Sequence, residues 1–189
     1  LYNRCKTFDN LTILDENVQP NVYEDKKAKR LSNPNHHGKK RRIIAFDFET
    51  SGLPQGRRNV EVTEETVKSY DTCREVSLSA ARFSHRGRLL DTFDAIITPT
   101  DFTISQQSID VHGITQERAK REGKPFTEVF LDFVKFIGSR TKTMVAHNAS
   151  FDVGVLRSEM IRNSIKLELL DELHFRCTLQ LYKERFLKP

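Results

Sequence analysis

The stretch IIAFDFETSG, from Ile43 to Gly52, constrains the fold more than any other, because it is a run of β-formers that carries two acids. Side chains in a strand alternate between its two faces. One face holds Ile44, Phe46 and Phe48, and the other holds Ile43, Ala45, Asp47 and Glu49. The first half is therefore apolar on both faces, and the acids come only near the exit. This pattern predicts a central strand with negative charge at its C-terminal end.

Asp47 and Glu49 share a face and lie roughly 6.6 Å apart along the predicted strand. Carboxylates this close repel each other unless a cation lies between them. A divalent metal with oxygen ligands would remove that repulsion. The alternative is an edge strand whose solvated face carries the two acids. Thr50, Ser51 and Gly52 follow with small side chains and a permissive backbone, which favours a site where a ligand approaches the main chain.

Charge is distributed unevenly along the chain. Residues 1–42 contain 10 Lys and Arg against 5 acids, whereas residues 43–189 contain 21 of each. We predict that residues 1–42 are a flexible basic segment, and that residues 43–189 form one globular domain with 13 Phe in the chain to fill its core. The clusters KKAKR and KKRR could contact phosphates, serve as a nuclear import signal, or belong to a merely solvated linker.

The cysteines and the hydropathy indicate the compartment. Cys5, Cys73 and Cys177 are far apart and lack the spacing of metal or redox pairs. This predicts a reduced intracellular protein, cytoplasmic or nuclear. No apolar run reaches membrane-spanning length and no secretory signal is present, so no membrane partner is expected. The lack of an initiating Met leads us to expect that the sequence belongs to a longer chain.

The rest of the sequence predicts a strand-rich half followed by a helix-rich half. Alternating residues predict strands within 74–84 and 89–99, joined by a turn at HRGR, so that three strands form a meander. Short helices are expected in SQQSIDVHGIT and TQERAKREG. A longer helix is expected to begin at an N-cap on Thr127 and to end at Gly138. TMVAHN predicts a buried strand, and helices follow at 149–163 and at about 178–187. This order predicts an α/β fold, a mixed sheet flanked by helices.

HNASFDVGVL places a third acid, Asp152, in the first turn of a helix that directly follows a buried strand. The helix dipole by itself favours a carboxylate there. With Asn148 or Ser150 as the cap, however, Asp152 would be free to point elsewhere. If this strand lies beside the first one, Asp152 would face Asp47 and Glu49. Three carboxylates would then form an oxygen site suited to Mg²⁺ or Mn²⁺.

Three segments together resemble the DEDD exonucleases, specifically the DnaQ-like group with an RNase H-like fold. DFETSGL resembles the first motif of that family, SIDVHGIT its substrate-contacting segment, and HNASFDVGVL its second motif. The three occur in the family's order. They cover most of residues 43–160.

The resemblance implies a role for each matching residue. Metal coordination and catalysis would fall to Asp47, Glu49 and Asp152, which would hold two Mg²⁺ or Mn²⁺ ions. The 3′-terminal nucleotide would be held by Thr50, Gly52 and Leu53. The terminal bases would be contacted or wedged by His112 and Ile114, and the pocket shaped by His147, Asn148 and Phe151. Outside this set of motifs, His112 would be a turn-stabilising residue and His147 a satisfied core histidine.

One family motif is missing from the sequence. The third motif pairs His with Asp five residues on, or Tyr with Asp four residues on, and supplies the general base and a fourth carboxylate. His174 is followed at that spacing by Leu179, and Tyr182 by Phe186. CTLQLYKERF resembles the segment before the motif, with Cys177 where Asp is common. We expect that the chain ends before this motif and that these residues alone degrade nucleic acid poorly.

The function implied is metal-dependent 3′-5′ exonucleolytic hydrolysis of DNA or RNA, with release of nucleoside 5′-monophosphates from single-stranded 3′ ends. The alternative is a non-catalytic module that binds nucleic acid or protein and keeps the exonuclease fold. A downstream His or Tyr paired with Asp would distinguish the two.

Overall fold

The structure is a computed structural model that describes residues 42–56 and 61–187. The predicted flexible segment, with KKAKR and most of KKRR, lies outside the described residues, as does the end of LPQGRR. The division into a basic segment and a domain therefore stays a prediction.

Five strands and five helices make up the described part of the chain, together with short 3₁₀ turns at Val67–Tyr70 and Leu167–Leu170. The strands are β1 (Arg42–Thr50), β2 (Glu75–Ser84), β3 (Leu89–Ile96), β4 (Thr141–Ala146) and β5 (His174–Cys177). The helices are α1 (Gln106–His112), α2 (Gln116–Glu122), α3 (Phe126–Ile137), α4 (Ala149–Arg162) and α5 (Thr178–Phe186). None of these helices is both long and apolar enough to cross a membrane.

The strands form one mixed sheet in the order β3-β2-β1-β4-β5. β1 pairs antiparallel with β2, and β2 antiparallel with β3, which confirms the predicted meander. β4 lies parallel to β1 on its other side, and β5 parallel to β4. β1 is therefore the central strand, and its C-terminal end lies at the same edge of the sheet as the ends of β4 and β5. The fold is the RNase H-like mixed sheet flanked by helices.

The main core lies between the sheet and the apolar stripe of α3. The stripe consists of Val129, Phe130, Phe133, Val134 and Ile137, which are buried, as are Phe126 and Phe136 on the same helix. The ring of Phe133 lies 6.5 Å from that of Phe46 on β1 and 5.6 Å from that of Phe93 on β3. Gly138 ends the helix at φ +60°, as its position predicts.

The start of α3 differs from the prediction. The helix begins at Phe126, and the cap position is held by Pro125, so Thr127 is not the N-cap. The carbonyl of Pro125 accepts hydrogen bonds from the amides of Glu128 and Val129. Phe126 is buried with its ring 5.7 Å from that of Phe130. Burial of this aromatic ring extends the helix beyond the residue that capping preference alone selects.

The edge strand β5 was not expected. Its four residues, HFRC, alternate between exposed and half-buried positions and lie parallel to β4 from Thr143↔His174 to Ala146↔Cys177. A run this short carries little periodic signal, and it is ordered here by pairing with β4. The strand brings Cys177 and the start of α5 to the edge where β1 and β4 end.

Candidate active site

The C-terminal half of β1 carries the carboxylates of Asp47 and Glu49 on the more exposed face of the strand. Along the strand, Ile44, Phe46 and Phe48 are buried, whereas Asp47 is exposed and Glu49 is half-buried. The alternation expected from the sequence is therefore present in the fold. It places both acids outside the main core, where they can reach a ligand at the edge of the sheet.

Asp152 meets this strand from α4. β4 pairs with β1 only as far as Ala45↔Val145, and the chain then turns into α4. The N–H of Phe48 lies beyond that pairing and donates to Oδ1 of Asp152 at 3.2 Å. The Asp152 carboxylate thus accepts the hydrogen bond that a main-chain carbonyl would accept if β4 were longer. Only 1% of Asp152 is exposed, so the helix buries this acid against the strand that carries Asp47 and Glu49.

The three carboxyl groups influence one another electrostatically. The pKa of Asp152 is raised to about 7: burial raises it most, the Phe48 N–H lowers it, and the charges of Asp47 and Glu49 raise it. The pKa of Glu49 is raised by burial and then by Asp47, and lowered by His112. Burial also raises the pKa of Asp47, which His147 lowers. The site therefore concentrates negative charge where it is disfavoured unless a cation binds.

The chemistry of this donor set fits a hard divalent cation, since all three groups offer carboxylate oxygens and the charge of Asp47 disfavours ionisation of the other two. Across residues 42–56 and 61–187, however, no three His, Cys, Asp or Glu side chains are gathered closely enough to form a metal-binding group. Convergence of Asp47, Glu49 and Asp152 on one ion stays a prediction.

Thr50, Gly52 and Leu53, expected to hold a nucleotide, differ in exposure. Thr50 is buried and its hydroxyl donates to the carbonyl of Gly52 at 2.8 Å. A Cβ on Gly52 would lie 2.6 Å from the carbonyl oxygen of Thr72, so packing against the chain itself already requires glycine here. Leu53 is 73% exposed and is available for contact with a base.

His112 ends α1, and Ile114 follows the left-handed Gly113. The Nδ1 atom of His112 accepts from the amide of Ile114 at 3.1 Å, which is the turn-stabilising role considered above. His112 also lowers the pKa of Glu49, so the ring lies near that carboxylate. Ile114 is 7% exposed, within a small cluster with Val76. That burial leaves Ile114 little surface for stacking; its wedging role stays a prediction.

The residues that precede Asp152 lie at the exit of β4. His147 is exposed rather than in the core, and its Nδ1 lies 3.0 Å from Oγ1 of Thr178 at the start of α5. Asn148 adopts the left-handed conformation at φ 60° and occupies the cap position of α4, but its side chain caps nothing. Its carbonyl accepts from the amide of Phe151 at 2.8 Å. Phe151 is partly buried against the main core.

A buried ionic cluster behind the site was missed by sequence reasoning. The Nε and Nη2 atoms of Arg74 donate to the two carboxylate oxygens of Glu159, at 2.5 and 3.2 Å. Both side chains are nearly enclosed, and Glu75 beside them is fully buried. The two partners are 85 residues apart in the sequence. The local signal was that Arg74 and Glu75 lie between the apolar residues Cys73 and Val76.

A comparison with protein-family models identifies the relationship. Residues 44–188 match the RNase_T model, described as exonuclease. The chain belongs to this exonuclease family. Membership implies a hydrolase that acts on nucleic acids, and exonucleases of this kind typically use divalent metals.

Curated relatives of this exonuclease domain are PolC-type DNA polymerases III. The protein from Lactococcus lactis is 28% identical over 172 residues, which cover 89% of this chain and 9% of the relative. The protein from Streptococcus sanguinis is 31% identical over 150 residues, or 77% of this chain and 9% of the relative. The chain thus spans about a tenth of the length of these polymerases.

Solved structures of exonuclease I share the fold. The product-bound structure has a TM-score of 0.61 at 16% identity and covers 77% of this chain and 31% of that protein. The E. coli enzyme in complex with a 5cy-dA13 oligonucleotide has a TM-score of 0.60 at 15% identity, with 77% and 30% coverage. A zinc-bound form of the E. coli enzyme with single-stranded DNA is also similar, with a TM-score of 0.61 at 16% identity and coverage of 77% and 30%.

Proposed function

We propose that this protein is a metal-dependent 3′-5′ exonuclease that hydrolyses terminal phosphodiester bonds of DNA or RNA and releases nucleoside 5′-monophosphates. One observation carries the proposal: Asp152 is buried against the strand that holds Asp47 and Glu49, with its Oδ1 bonded to the amide of Phe48. Asp47 and Glu49 lie near the C-terminal end of β1, and Asp152 on α4 is bonded to the amide of Phe48 between them. A purely structural acid at a helix N-terminus does not require two further acids beside it.

The ligands proposed for the cofactor are Asp47, Glu49 and Asp152. When bound, a pair of Mg²⁺ or Mn²⁺ ions supplies an activated water and stabilises the leaving 3′ oxygen. The chain itself positions the acids: β1 holds two on one face, and the Phe48 amide orients the third. His147 lowers the pKa of Asp47, and His112 lowers the pKa of Glu49.

The proposed substrate is a single-stranded 3′ end. The exonuclease I relatives by fold have been crystallised with single-stranded oligonucleotides, which supports this class for the present chain. Leu53 offers exposed apolar surface directly after the acids, so that a terminal base can stack on it. Thr50, Gly52, His112, Ile114, His147, Asn148 and Phe151 complete the proposed set of substrate-binding residues.

Labelled single strands test this function directly. In Mn²⁺, a 3′-labelled strand should lose its label as mononucleotide in the first cut, whereas a 5′-labelled strand should shorten step by step. The rate should be low, because no His or Tyr after Asp152 is followed by Asp at the spacing of the third motif, and a positioned base contributes about 10² to 10⁴ in rate.

The nearly isosteric variants Asp47→Asn and Asp152→Asn should abolish the digestion, because each removes a carboxylate charge. Asp94→Asn is the matched control, since Asp94 is an exposed acid on β3. Digestion that survives both site variants, or that starts from the 5′ end, would contradict the proposal.

A second candidate is a non-catalytic module that binds nucleic acid or protein, and one observation favours it: within residues 153–189, His174 and Tyr182 have no Asp at the spacing of the third motif. Under this candidate the chain binds single strands with the same affinity in Mn²⁺ and in EDTA, and no mononucleotide appears. Measurement of both quantities in the same samples separates the two functions.

A further inference from the structure

We propose that Arg74 is a positioning residue that holds Asp152 in register with Asp47 and Glu49. The inference rests on the proposed function only for its effect on catalysis. The structural evidence for it is that interactions join the C-terminal end of β1 to α4 at two places. One place is the bond from the Phe48 amide to Asp152.

The second connection passes through Arg74. Its main chain pairs with Ser51, just beyond the end of β1: the Ser51 N–H donates to the Arg74 carbonyl at 2.8 Å, and the Arg74 N–H donates to the Ser51 hydroxyl oxygen at 3.0 Å. Ser51 is buried and lies two residues after Glu49. The backbone of Arg74 is therefore fixed to the end of the strand that carries two of the acids.

The side chain of Arg74 reaches the helix that carries the third acid. Its two-point bond to Glu159 holds α4 seven residues, or about two turns, beyond Asp152. The Nη1 atom donates to Asp101 at 2.8 Å, and the guanidinium lies 4.9 Å from the centre of the Phe102 ring. These interactions leave the guanidinium little rotational freedom, since a planar fork bound at three points has one orientation.

Separation of the Arg74 and Glu159 side chains would cost much free energy, because both charges are buried. Arg74 is 8% exposed and Glu159 is 3% exposed, so neither charge can be satisfied by water if the other moves away. A shift of α4 along its axis would break both the Arg74–Glu159 pair and the Phe48–Asp152 bond. The pair thus ties the position of the Asp152 carboxylate to the exit of β1.

Amide hydrogen exchange at Phe48, measured by NMR, tests the inference without reference to activity, because this N–H is protected by the Asp152 carboxylate itself. Arg74→Lys keeps the charge but removes the two-point geometry. We expect the Phe48 amide to exchange about tenfold faster or more, while the amides of Ile44 and Phe46 in the same strand remain unchanged. Faster exchange along the whole strand would indicate a general loss of stability and would overturn the positioning role.

Arg82→Lys is the matched control. Arg82 lies on β2, the strand that directly follows Arg74. Its side chain pairs with Asp91 at 2.5 Å, and its guanidinium lies 4.6 Å from the centre of the Phe136 ring. Neither of these partners is on α4. This variant should leave the exchange at Phe48 unchanged. Glu159→Gln tests the pair from the other side and should raise the exchange at Phe48 in the same way. The double variant should add nothing beyond the larger single effect.

Mn²⁺ binding and kinetics complete the test. Arg74→Lys should weaken Mn²⁺ binding and lower kcat by about 10- to 100-fold, with KM for a single strand changed by less than about twofold. If the wild-type chain has no nuclease activity, the proposed function fails, and the exchange at Phe48 still decides the role of Arg74. Unchanged exchange at Phe48 in both Arg74→Lys and Glu159→Gln would overturn the inference.

Discussion

At the scale of single residues, Glu75 carries a carboxyl group that the fold encloses completely. Only 1% of the residue is exposed, and neither carboxylate oxygen has a hydrogen-bond partner among the residues that the structure describes. Burial raises the pKa of Glu75 well above its usual range, Glu159 raises it further, and Arg74 and Arg162 lower it. The neutral acid is therefore the form that folding favours.

The raised pKa of Glu75 leads to a prediction about stability. The folded state keeps its proton at pH values where the unfolded chain has lost it, so the stability that this proton provides is complete below the unfolded pKa and is lost as the pH rises through the folded pKa. Glu75→Gln, which cannot ionise, should raise the free energy of unfolding at pH 8 by at least about 1 kcal/mol more than at pH 4. Urea unfolding at the two pH values measures this difference. An equal effect at both would mean that the pKa of Glu75 is not raised in the folded protein.

At the scale of secondary-structure elements, α3 stabilises the sheet through aromatic packing. Phe133 is fully buried between Phe46 and Phe93, which lie on two different strands. Phe133→Ala should lower the free energy of unfolding by about 3–5 kcal/mol, because it removes a large buried side chain and leaves a cavity. Phe186→Ala is the control: Phe186 on α5 is 64% exposed, and its removal should change stability by less than about 0.5 kcal/mol. Thermal unfolding of both variants checks the prediction, and equal effects would contradict it.

At the scale of the whole molecule, the charge is separated along the chain. Residues 43–189 contain 21 basic and 21 acidic residues, so the net charge of +5 comes from residues 1–42. We propose that this segment adds affinity for phosphates without altering cleavage. Its deletion should reduce the dependence of log K on log salt by about 0.7 for each phosphate of a single strand that the segment neutralises, and should leave kcat unchanged. Salt titrations of both forms measure the slope; an identical slope would refute the role.

Most of the sheet and the locations of the three acids could be predicted from local patterns in the sequence. The period-2 pattern of β1 and β2, the turn around Gly87 and the apolar stripe of α3 are local signals, because each depends on the spacing of neighbouring residues. The order of Asp47, Glu49 and Asp152 within their motifs was likewise readable from the chain. Capping was less predictable: Thr127 and Asn148 have suitable side chains, but burial of Phe126 and the left-handed backbone of Asn148 decided those helix starts.

Interactions between distant residues emerged only from the packing of the folded chain. β5 is ordered by its pairing with β4, and Ile114 is buried by elements that the substrate-binding motif does not include. The bond from Phe48 to Asp152 joins residues 104 apart, and the pair of Arg74 with Glu159 joins residues 85 apart. Such interactions leave no periodic signal, because they depend on how the strands and helices pack rather than on the residues beside them. The sequence therefore located the acids, and the packing of α4 against β1 determined the burial of Asp152 and its raised pKa.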